Sequence, residues 1–255
     1  MTWNVNGIRA VAKKGLEEFV RVQRADFLCL QETKAHPEQV EPNLRTLGYP
    51  QAFWASAEKK GYSGVATFCS EKPLRVELGL GQPEYDREGR IVRTWHPKFV
   101  LYNIYFPNGG SGEERHQFKQ RFLRDLNRHL EKELSTGQEI VLVGDYNVAH
   151  REIDVYDPVR LANESGFLPE EREWFSSFLR LGFVDCFRER YPQAAHRYTW
   201  WSYRELARIS NRGWRIDYIC TTRGIYNKLK KIDILDKVEG SDHCPVVAEF
   251  ELGGR

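Results

Sequence analysis

The chain has 255 residues, of which 41% are hydrophobic and 29% charged, and its formal net charge is +2. This composition is typical of a globular protein with a sizeable core and excludes a disordered chain. No run approaches the ~20 apolar residues that a membrane-spanning helix needs, and the N-terminus lacks the basic and apolar regions of a secretory signal. We therefore expect a cytoplasmic protein that does not bind a membrane.

The cysteines favour the same compartment. There are five, none of them in a C-x-x-C pair: Cys29, Cys69, Cys186, Cys220 and Cys244. An odd number at scattered positions argues against a disulfide framework and against a zinc site, and it favours a reducing environment. Most lie in apolar runs such as "FLCL", so we predict that they are small buried hydrophobic residues.

Taken in chain order, apolar runs predict a series of strands. They cover 26–32, 63–70, 90–96, 98–106, 139–147, 215–222, 231–238 and 244–252. Helical patterns are expected between them, near 14–24, near 37–47, over 112–134 and from Pro169 to a stop at Gly182. Several strands are apolar at successive positions, as in sheets covered on both faces. The mixture predicts one domain, 1–255, built as an α/β sandwich of two packed sheets with helices outside.

The helix over 112–134 has the clearest pattern. Apolar residues recur every fourth position from Phe118 onward, and charged residues, among them Lys119, are expected to fill the remaining faces. Ser111 and Glu114 have the spacing of a capping box at its start. We therefore predict a long amphipathic helix with a side-chain cap.

Polar residues recur where the predicted strands end or meet a loop. They are Asn4, Asn6, Glu32, Asn108, Asp145, Asn147, Asp217, Asp242 and His243. Each of them alone is more often a turn former or a structural residue. Their number favours a shared working edge of the sheets, because functional groups concentrate on such junctions. Gly144, before Asp145, is expected to allow a close backbone approach.

Such a set has a definite chemistry. Carboxylate and amide oxygens with one histidine suit Mg²⁺, or Mn²⁺ as a substitute. That ion polarises a phosphoryl oxygen and stabilises the leaving oxygen. Asp145 can then deprotonate a water that Asn147 helps to hold, while Asp217 orients His243 against a phosphate oxygen. The residues therefore predict metal-assisted hydrolysis of a phosphate ester.

Several blocks occur in a characteristic order: "WNVNGIRA", "FLCLQETK", "KKGYSGVA", "YNIYFPNG", "LVGDYNVAH", "GFLPEEREW", "YTWWSYR", "GWRIDY" and "GSDHCP". Together they resemble the exonuclease III family of AP endonucleases, within the endonuclease/exonuclease/phosphatase superfamily, from residue 3 to about 252. The resemblance implies a four-layered α/β sandwich and Mg²⁺-dependent cleavage of duplex DNA 5′ to an abasic site. It also implies 3′–5′ exonuclease or 3′-repair diesterase activity in many members. We expect the protein to act as a monomer on abasic or damaged duplex DNA.

The resemblance also implies roles for individual residues. The positions matched to metal binding are Glu32, Asp242, Asn4 and Asn6. Those matched to phosphate binding and to the water nucleophile are Tyr105, Asn108, Asp145, Asn147, Asp217 and His243. Those matched to DNA binding are Lys59, Lys60, Tyr62, Trp200, Arg204, Arg208, Arg212, Trp214 and Ile216. In this last group Trp200, Trp214 and Ile216 would line a pocket for the extruded sugar, and the basic residues would grip the duplex without reading its sequence. Trp201 is expected in the core.

The first strand departs from the family pattern. Relatives carry a longer apolar strand before Asn4, so we expect a shortened first strand that holds Asn4 and Asn6 loosely.

The sequence leaves other substrates open: a lipid or inositol phosphate, undamaged DNA, or damaged DNA that is bound without cleavage. Incision at deoxyuridine or other altered bases is a further possibility that the sequence does not decide.

Overall fold

The computed structural model describes residues 1–203 and 206–253. Strands and helices are interspersed along the chain. In chain order the strands are β1 (Thr2–Asn4), β2 (Phe27–Gln31), β3 (Gln51–Ala55), β4 (Val65–Cys69), β5 (Arg75–Leu78), β6 (Ile91–His96), β7 (Phe99–Tyr105), β8 (Ile140–Asp145), β9 (Phe183–Asp185), β10 (Trp200–Trp201), β11 (Gly213–Trp214), β12 (Asp217–Thr222), β13 (Leu229–Ile234) and β14 (Val246–Phe250). The α-helices are α1 (Ile8–Ala12), α2 (Leu16–Gln23), α3 (Pro42–Thr46), α4 (Pro83–Asp86), α5 (Glu113–Leu134), α6 (Pro169–Arg180), α7 (Cys186–Arg190) and α8 (Arg223–Tyr226). Short 3₁₀ turns cover Pro37–Gln39 and Glu152–Asp154.

The strands form two six-stranded mixed sheets, with orders β13-β14-β1-β2-β4-β3 and β5-β6-β7-β8-β12-β9, and a ribbon of β10 and β11. Strand β8 contributes side chains to the cores on both faces of its sheet. Val141 and Val143 pack into the core that lies between the sheets. Ile140 and Leu142 pack into the core under α5 and α6. Because successive side chains of a strand point to opposite faces, one apolar run serves both cores. Helices α1 to α3 cover the other sheet, and the predicted four-layered sandwich is confirmed.

The strands that sequence patterns missed are mostly short or lie at sheet edges. Strands β3, β5 and β9 each end a sheet, and β5 has two half-buried residues between two exposed ones, without an apolar face. An edge strand pairs on one side only and needs little apolar surface, so its periodicity is weak. The predicted helix near 37–47 is instead a 3₁₀ turn followed by α3. All five cysteines are buried thiols, as predicted. No helix within the described residues is long and apolar enough to cross a membrane.

Helix α5 corrects two predictions. Its N-cap is Gly112, which makes no side-chain cap bond, so the capping box from Ser111 to Glu114 is wrong. Lys119 was expected on a polar face, but its side chain is fully buried. The reason is tertiary: α6 packs against α5 on that side, and the ammonium forms an ion pair with Glu171 of α6.

Candidate active site

The functional side chains meet at one edge of the sandwich because of strand direction. Strands β1 and β2 are parallel, and so are β7 and β8, while β12 is antiparallel to β8. The register places Tyr105 and Asp217 opposite Asp145, one on each neighbouring strand. Gly144 is required beside them: its φ is +143°, and a β-carbon there would clash with the carbonyl oxygen of Ile104.

The centre of the site is a buried triad of Asp145, His243 and Asp217. The imidazole Nδ1 of His243 lies 2.8 Å from Asp217 Oδ2, and its Nε2 lies 3.8 Å from Asp145 Oδ2. Burial opposes a charge on the imidazole, but the carboxylates of Asp217 and Asp145 outweigh it and raise the pKa of His243 to about 10. His243 is therefore a cation at neutral pH, fixed between two carboxylates.

The pKa of Asp145 is raised as well, to about 7. Burial raises the pKa of Asp145; His243 opposes this effect, and the nearby charges of Asp217 and Glu32 add to it. A raised pKa suits a group that accepts a proton from water near neutral pH.

Asn4 and Asn6 are held more firmly than the short first strand predicts. Strand β1 spans only three residues, yet Asn4 is fully buried. Its Nδ2 donates to Glu32 Oε1 at 2.9 Å and to Asp145 Oδ2 at 2.8 Å. Asn6 Nδ2 donates to Asp242 Oδ1 at 2.9 Å. The expectation that both residues are loose is therefore wrong, because these carboxylates anchor them from neighbouring loops.

Lys34 belongs to the site, although sequence reasoning missed it. Its Nζ lies 2.7 Å from Glu32 Oε2 and 2.5 Å from Asn6 Oδ1. Burial alone would raise the pKa of Glu32, but Lys34 and Asn4 outweigh it and lower that pKa, so the carboxylate is charged. The signal was present in the sequence, where the lysine follows Glu32 by two positions in "QETK".

Asn147 is fixed on several sides. It follows β8 in a left-handed conformation, with φ 51°, which asparagine adopts more readily than most residues other than glycine. Its Nδ2 donates to the Phe106 carbonyl at 3.0 Å, and its Oδ1 accepts from Asn108 Nδ2 at 3.1 Å. Its amide Nδ2 also lies 3.4 Å from Asp145 Oδ2. The side chains of Asp145 and Asn147 therefore face the same space. Two residues that only close a turn do not need this placement.

Tyr105 and Tyr62 share an arginine support. The guanidinium of Arg90 lies 4.8 Å from the centre of the Tyr105 ring, and Arg90 and Arg115 both donate to the Tyr62 hydroxyl, at 3.0 and 3.1 Å. Burial, with the Glu32 charge adding, holds the pKa of Tyr105 well above its ordinary value. Tyr105 is thus a neutral hydroxyl at the site.

The loop that carries Tyr62 also carries two of the predicted DNA contacts. Lys59 and Lys60 are exposed on it. The loop lies beside Glu32, because the Lys34 amide donates to the Ser63 carbonyl at 2.9 Å.

A cavity of about 720 Å³ opens on the polar residues at the strand ends, among them Glu32 and Asn108. Its lining includes the predicted Trp200, Trp214 and Ile216 next to Asp145, Asn147 and His243. Trp200 is tied to the site, because its indole Nε1 donates to Asp242 Oδ2 at 3.1 Å. The loop after β8 supplies a wall that the sequence did not predict: Tyr156, Arg160, Leu161, Glu164, Ser165 and Gly166.

The basic loop 202–212 divides into different environments. Arg212 lines the cavity. Arg208 points the other way: its guanidinium donates to the carbonyls of Ser241, Asp236 and Val238 at 2.6–3.2 Å. These contacts anchor the loop, and they occupy donors that were expected to meet the duplex. Arg204 lies outside the described residues. Trp201 is buried, as expected.

The donor set suits a hard divalent cation. Ligand atoms of Glu32, Asp145 and His243 all lie within 4.8 Å of one another. The oxygens of Glu32 and Asn6 already surround a cation, the Lys34 ammonium. Of the residues expected as ligands, Asn4 turns its amide nitrogen to both carboxylates, while its oxygen accepts from the Asn6 amide. The charged carboxylate of Glu32, with Asp145 beside it, is therefore the best-placed ligand for such a cation.

Comparison with known proteins decides the family. The Endonuclease/Exonuclease/phosphatase family matches residues 1–243. The chain belongs to this family. Two curated relatives are 41% identical to it over 247 residues, or 96% of this chain. One is the DNA repair nuclease APEX1 of Danio rerio, covered to 79% of its length, and the other is the exodeoxyribonuclease of Bacillus subtilis, covered to 96%.

Solved structures agree with this assignment. An AP endonuclease from Archaeoglobus fulgidus is 32% identical and superposes with a TM-score of 0.87, with 98% of both chains covered. The 3′-5′ exonuclease NExo from Neisseria meningitidis is 29% identical, with a TM-score of 0.88 and 98% of both chains covered. The predicted family, fold and enzyme class, a nuclease of DNA repair, are confirmed.

Proposed function

We propose that this member of the family is a Mg²⁺-dependent AP endonuclease, which hydrolyses the phosphodiester bond 5′ to an abasic site in duplex DNA. The observation that carries the proposal is a single cavity in which an apolar wall of Trp200, Trp214 and Ile216 meets the hydrolytic groups Asp145, Asn147 and His243. An unspecific phosphodiesterase needs the second set of residues but not the first.

The residues have separable tasks in this reaction. Asp145 accepts the proton of the attacking water, because its pKa is raised by burial. Asn147 orients that water through its amide, and Asn108 holds the amide in place. His243, kept cationic by Asp217, donates to a phosphate oxygen and stabilises the charge that develops there. A divalent ion held by Glu32 would supply Lewis-acid polarisation of the phosphate.

The pocket would select the lesion by shape. A sugar without a base is small and can rest against indole and aliphatic groups, whereas a normal nucleotide would have to bury a base as well. Trp214 and Ile216 are buried wall residues, while Trp200 is partly exposed at the mouth. Extrusion is also easiest at an abasic site, where no base pair has to be broken.

Contacts to the duplex would come from two loops. Lys59, Lys60 and Tyr62 lie on a loop beside Glu32, and Arg212 lines the cavity. Cations and hydroxyls at such positions bind phosphates without reading bases, which suits a lesion that occurs in any sequence. We propose that the protein does this as a monomer, and that Asn6 and Asp242 support the metal site.

A second activity has specific support. One structural relative, NExo from Neisseria, is named a 3′-5′ exonuclease in one structure and a 3′ phosphatase bound to a product DNA hairpin in another. The same hydrolytic groups can act on a 3′-terminal phosphate or nucleotide if the cavity admits a frayed end. We therefore propose removal of 3′-blocking groups as an additional reaction.

The test is a substrate panel with Mg²⁺: an abasic duplex, the undamaged duplex, a deoxyuridine duplex, a recessed 3′ end and a lipid phosphate. The proposal predicts incision of the abasic duplex far above the undamaged one, and complete loss with EDTA. Asn147→Ala should lower kcat about 100- to 1000-fold but retain DNA binding, with the exposed Asn227→Ala as control. Equal nicking of undamaged DNA would refute lesion selection, and binding without incision would indicate a damage-binding module.

A further inference from the structure

Lys119 and Glu171 form an ion pair in the interior, behind the active-site cavity. Both side chains are completely buried, and Lys119 Nζ lies 2.5 Å from Glu171 Oε1. A buried pair of this kind contributes little net stability, since the desolvation of two charges offsets their attraction. Its second set of contacts suggests another role.

The ammonium of Lys119 reaches the backbone of the catalytic segment. Nζ donates to the carbonyl oxygen of Asn147 at 2.8 Å. Asn147 has a left-handed backbone, with φ 51°, a conformation that asparagine adopts more readily than most residues, and the bond from Lys119 fixes the orientation of its carbonyl. A donor fixed by a buried carboxylate keeps that orientation, because neither partner can move into water.

Glu171 connects the same pair to the cavity wall. Its Oε2 accepts from the amides of Gly166 and Leu168, at 2.6 and 3.1 Å. Gly166 lines the cavity, and its carbonyl accepts from the Ala149 amide at 2.7 Å. One carboxylate thus holds the wall loop while its partner lysine holds the catalytic peptide.

We propose that Lys119, supported by Glu171, is a positioning residue for hydrolysis: it sets the Asn147 peptide and thereby aims the Asn147 amide at the attacking water. The chain of contacts is continuous. Lys119 fixes the Asn147 carbonyl, and the peptide fixes the direction of the side chain. The side-chain amide of Asn147 then donates to the Phe106 carbonyl at 3.0 Å and accepts from Asn108 at 3.1 Å. The inference rests on the proposed function of Asn147.

The central experiment uses Lys119→Met/Glu171→Gln, which removes both charges while glutamine can still accept from the Gly166 amide. We expect kcat for abasic-site incision to fall about 10- to 100-fold with little change in KM, because misplacing a catalytic group by about 1 Å costs that much. Lys119→Arg retains charge and donors and should recover part of the loss. Lys132→Met, exposed on the same helix, is the matched control.

A double-mutant cycle separates positioning from general weakening. In an Asn147→Ala background, the change at Lys119 and Glu171 should have no further effect on kcat, since both act through one amide. Hydrogen exchange of the amides of Val148 and Ala149 should accelerate in the charge-free variant and not in Lys132→Met. This second readout does not depend on activity.

The outcomes distinguish the two proposals. If wild type does not incise abasic DNA, the proposed function fails. If wild type incises, Asn147→Ala collapses turnover and the charge-free variant stays within twofold of wild type, the positioning role is overturned alone. Multiplicative effects in the double-mutant cycle would also overturn it, because Lys119 would then act independently of Asn147.

Discussion

Asp217 holds the Nδ1 of His243 at 2.8 Å, and neither side chain is more than 5% exposed. Strand β12 brings Asp217 into register with Asp145 on β8, so the imidazole lies between two carboxylates that come from adjacent strands. The charge of His243 is thus a consequence of sheet register as much as of local sequence.

Replacing Asp217 by Asn should lower incision about 100-fold, the usual effect of impairing one donor to a developing oxyanion. The pKa of His243, raised to about 10, keeps the imidazolium below that pH. Without Asp217 the pKa falls, so the alkaline limb of the pH–rate profile should move to lower pH. Single-turnover incision from pH 6 to 10.5 measures both effects. Asp233→Asn, in a surface ion pair with Arg197, is the control, and an unmoved alkaline limb would contradict the role.

Glu32→Gln should weaken the use of Mg²⁺ rather than DNA binding. The change removes one carboxylate charge from a site whose ligand atoms lie within 4.8 Å of one another. We expect the Mg²⁺ concentration for half-maximal incision to rise about tenfold or more. Binding of abasic DNA in EDTA should stay within threefold of wild type. Glu38→Gln, whose side chain is 74% exposed, should leave the Mg²⁺ titration unchanged; a similar titration for Glu32→Gln would remove Glu32 from the metal site.

Trp214→Ala should reduce lesion selectivity. The indole is a buried part of the cavity wall, and loss of such a hydrophobic contact changes substrate discrimination by about 10-fold or more. The ratio of kcat/KM for abasic and undamaged duplexes should therefore fall about tenfold. Trp95→Ala, which removes an indole beside Arg75 and Arg93 on another strand, should leave the ratio unchanged. Equal ratios in both variants would show that Trp214 does not select the lesion.

Asp154 should make the fold sensitive to acid. Burial opposes its charge, but Arg215 and Arg188 outweigh that effect and lower its pKa to about 2. This lowered pKa stabilises the folded state fully above the ordinary value near 4, and the effect is lost as pH falls through about 2. It amounts to about 2 kcal/mol. Denaturant unfolding at pH 5 and pH 2.5 measures it.

Asp154→Asn tests the same network at neutral pH. It leaves two buried arginines short of a partner and should destabilise the fold by about 3 kcal/mol. It should also reduce the loss of stability between pH 5 and pH 2.5. Asp233→Asn should do neither, and an equal acid response in both variants would contradict the assignment.

The sequence by itself determined the layered fold and the polar strand ends. Apolar runs such as "IVLV" before Asp145 must be covered on both faces, and polar residues such as Asn4, Glu32 and Asp145 fall where these runs end. Both features are local patterns in short segments of sequence. Their convergence depends on strand direction and register, which only the structure shows. The sequence also predicts that Asp217 orients His243, and the two side chains are in hydrogen-bond contact.

Only the tertiary structure decided which charged side chains leave the solvent. The charge of Lys119 predicts a surface position, yet α6 buries it against Glu171. Arg208 belongs to a basic stretch, yet the carbonyls of the 236–241 loop capture its guanidinium. Lys34 reaches Asn6, 28 positions away in the chain, because two loops meet. In each case the partner is distant in the chain or on another element, and a periodic pattern records the face of an element but not what later packs against it.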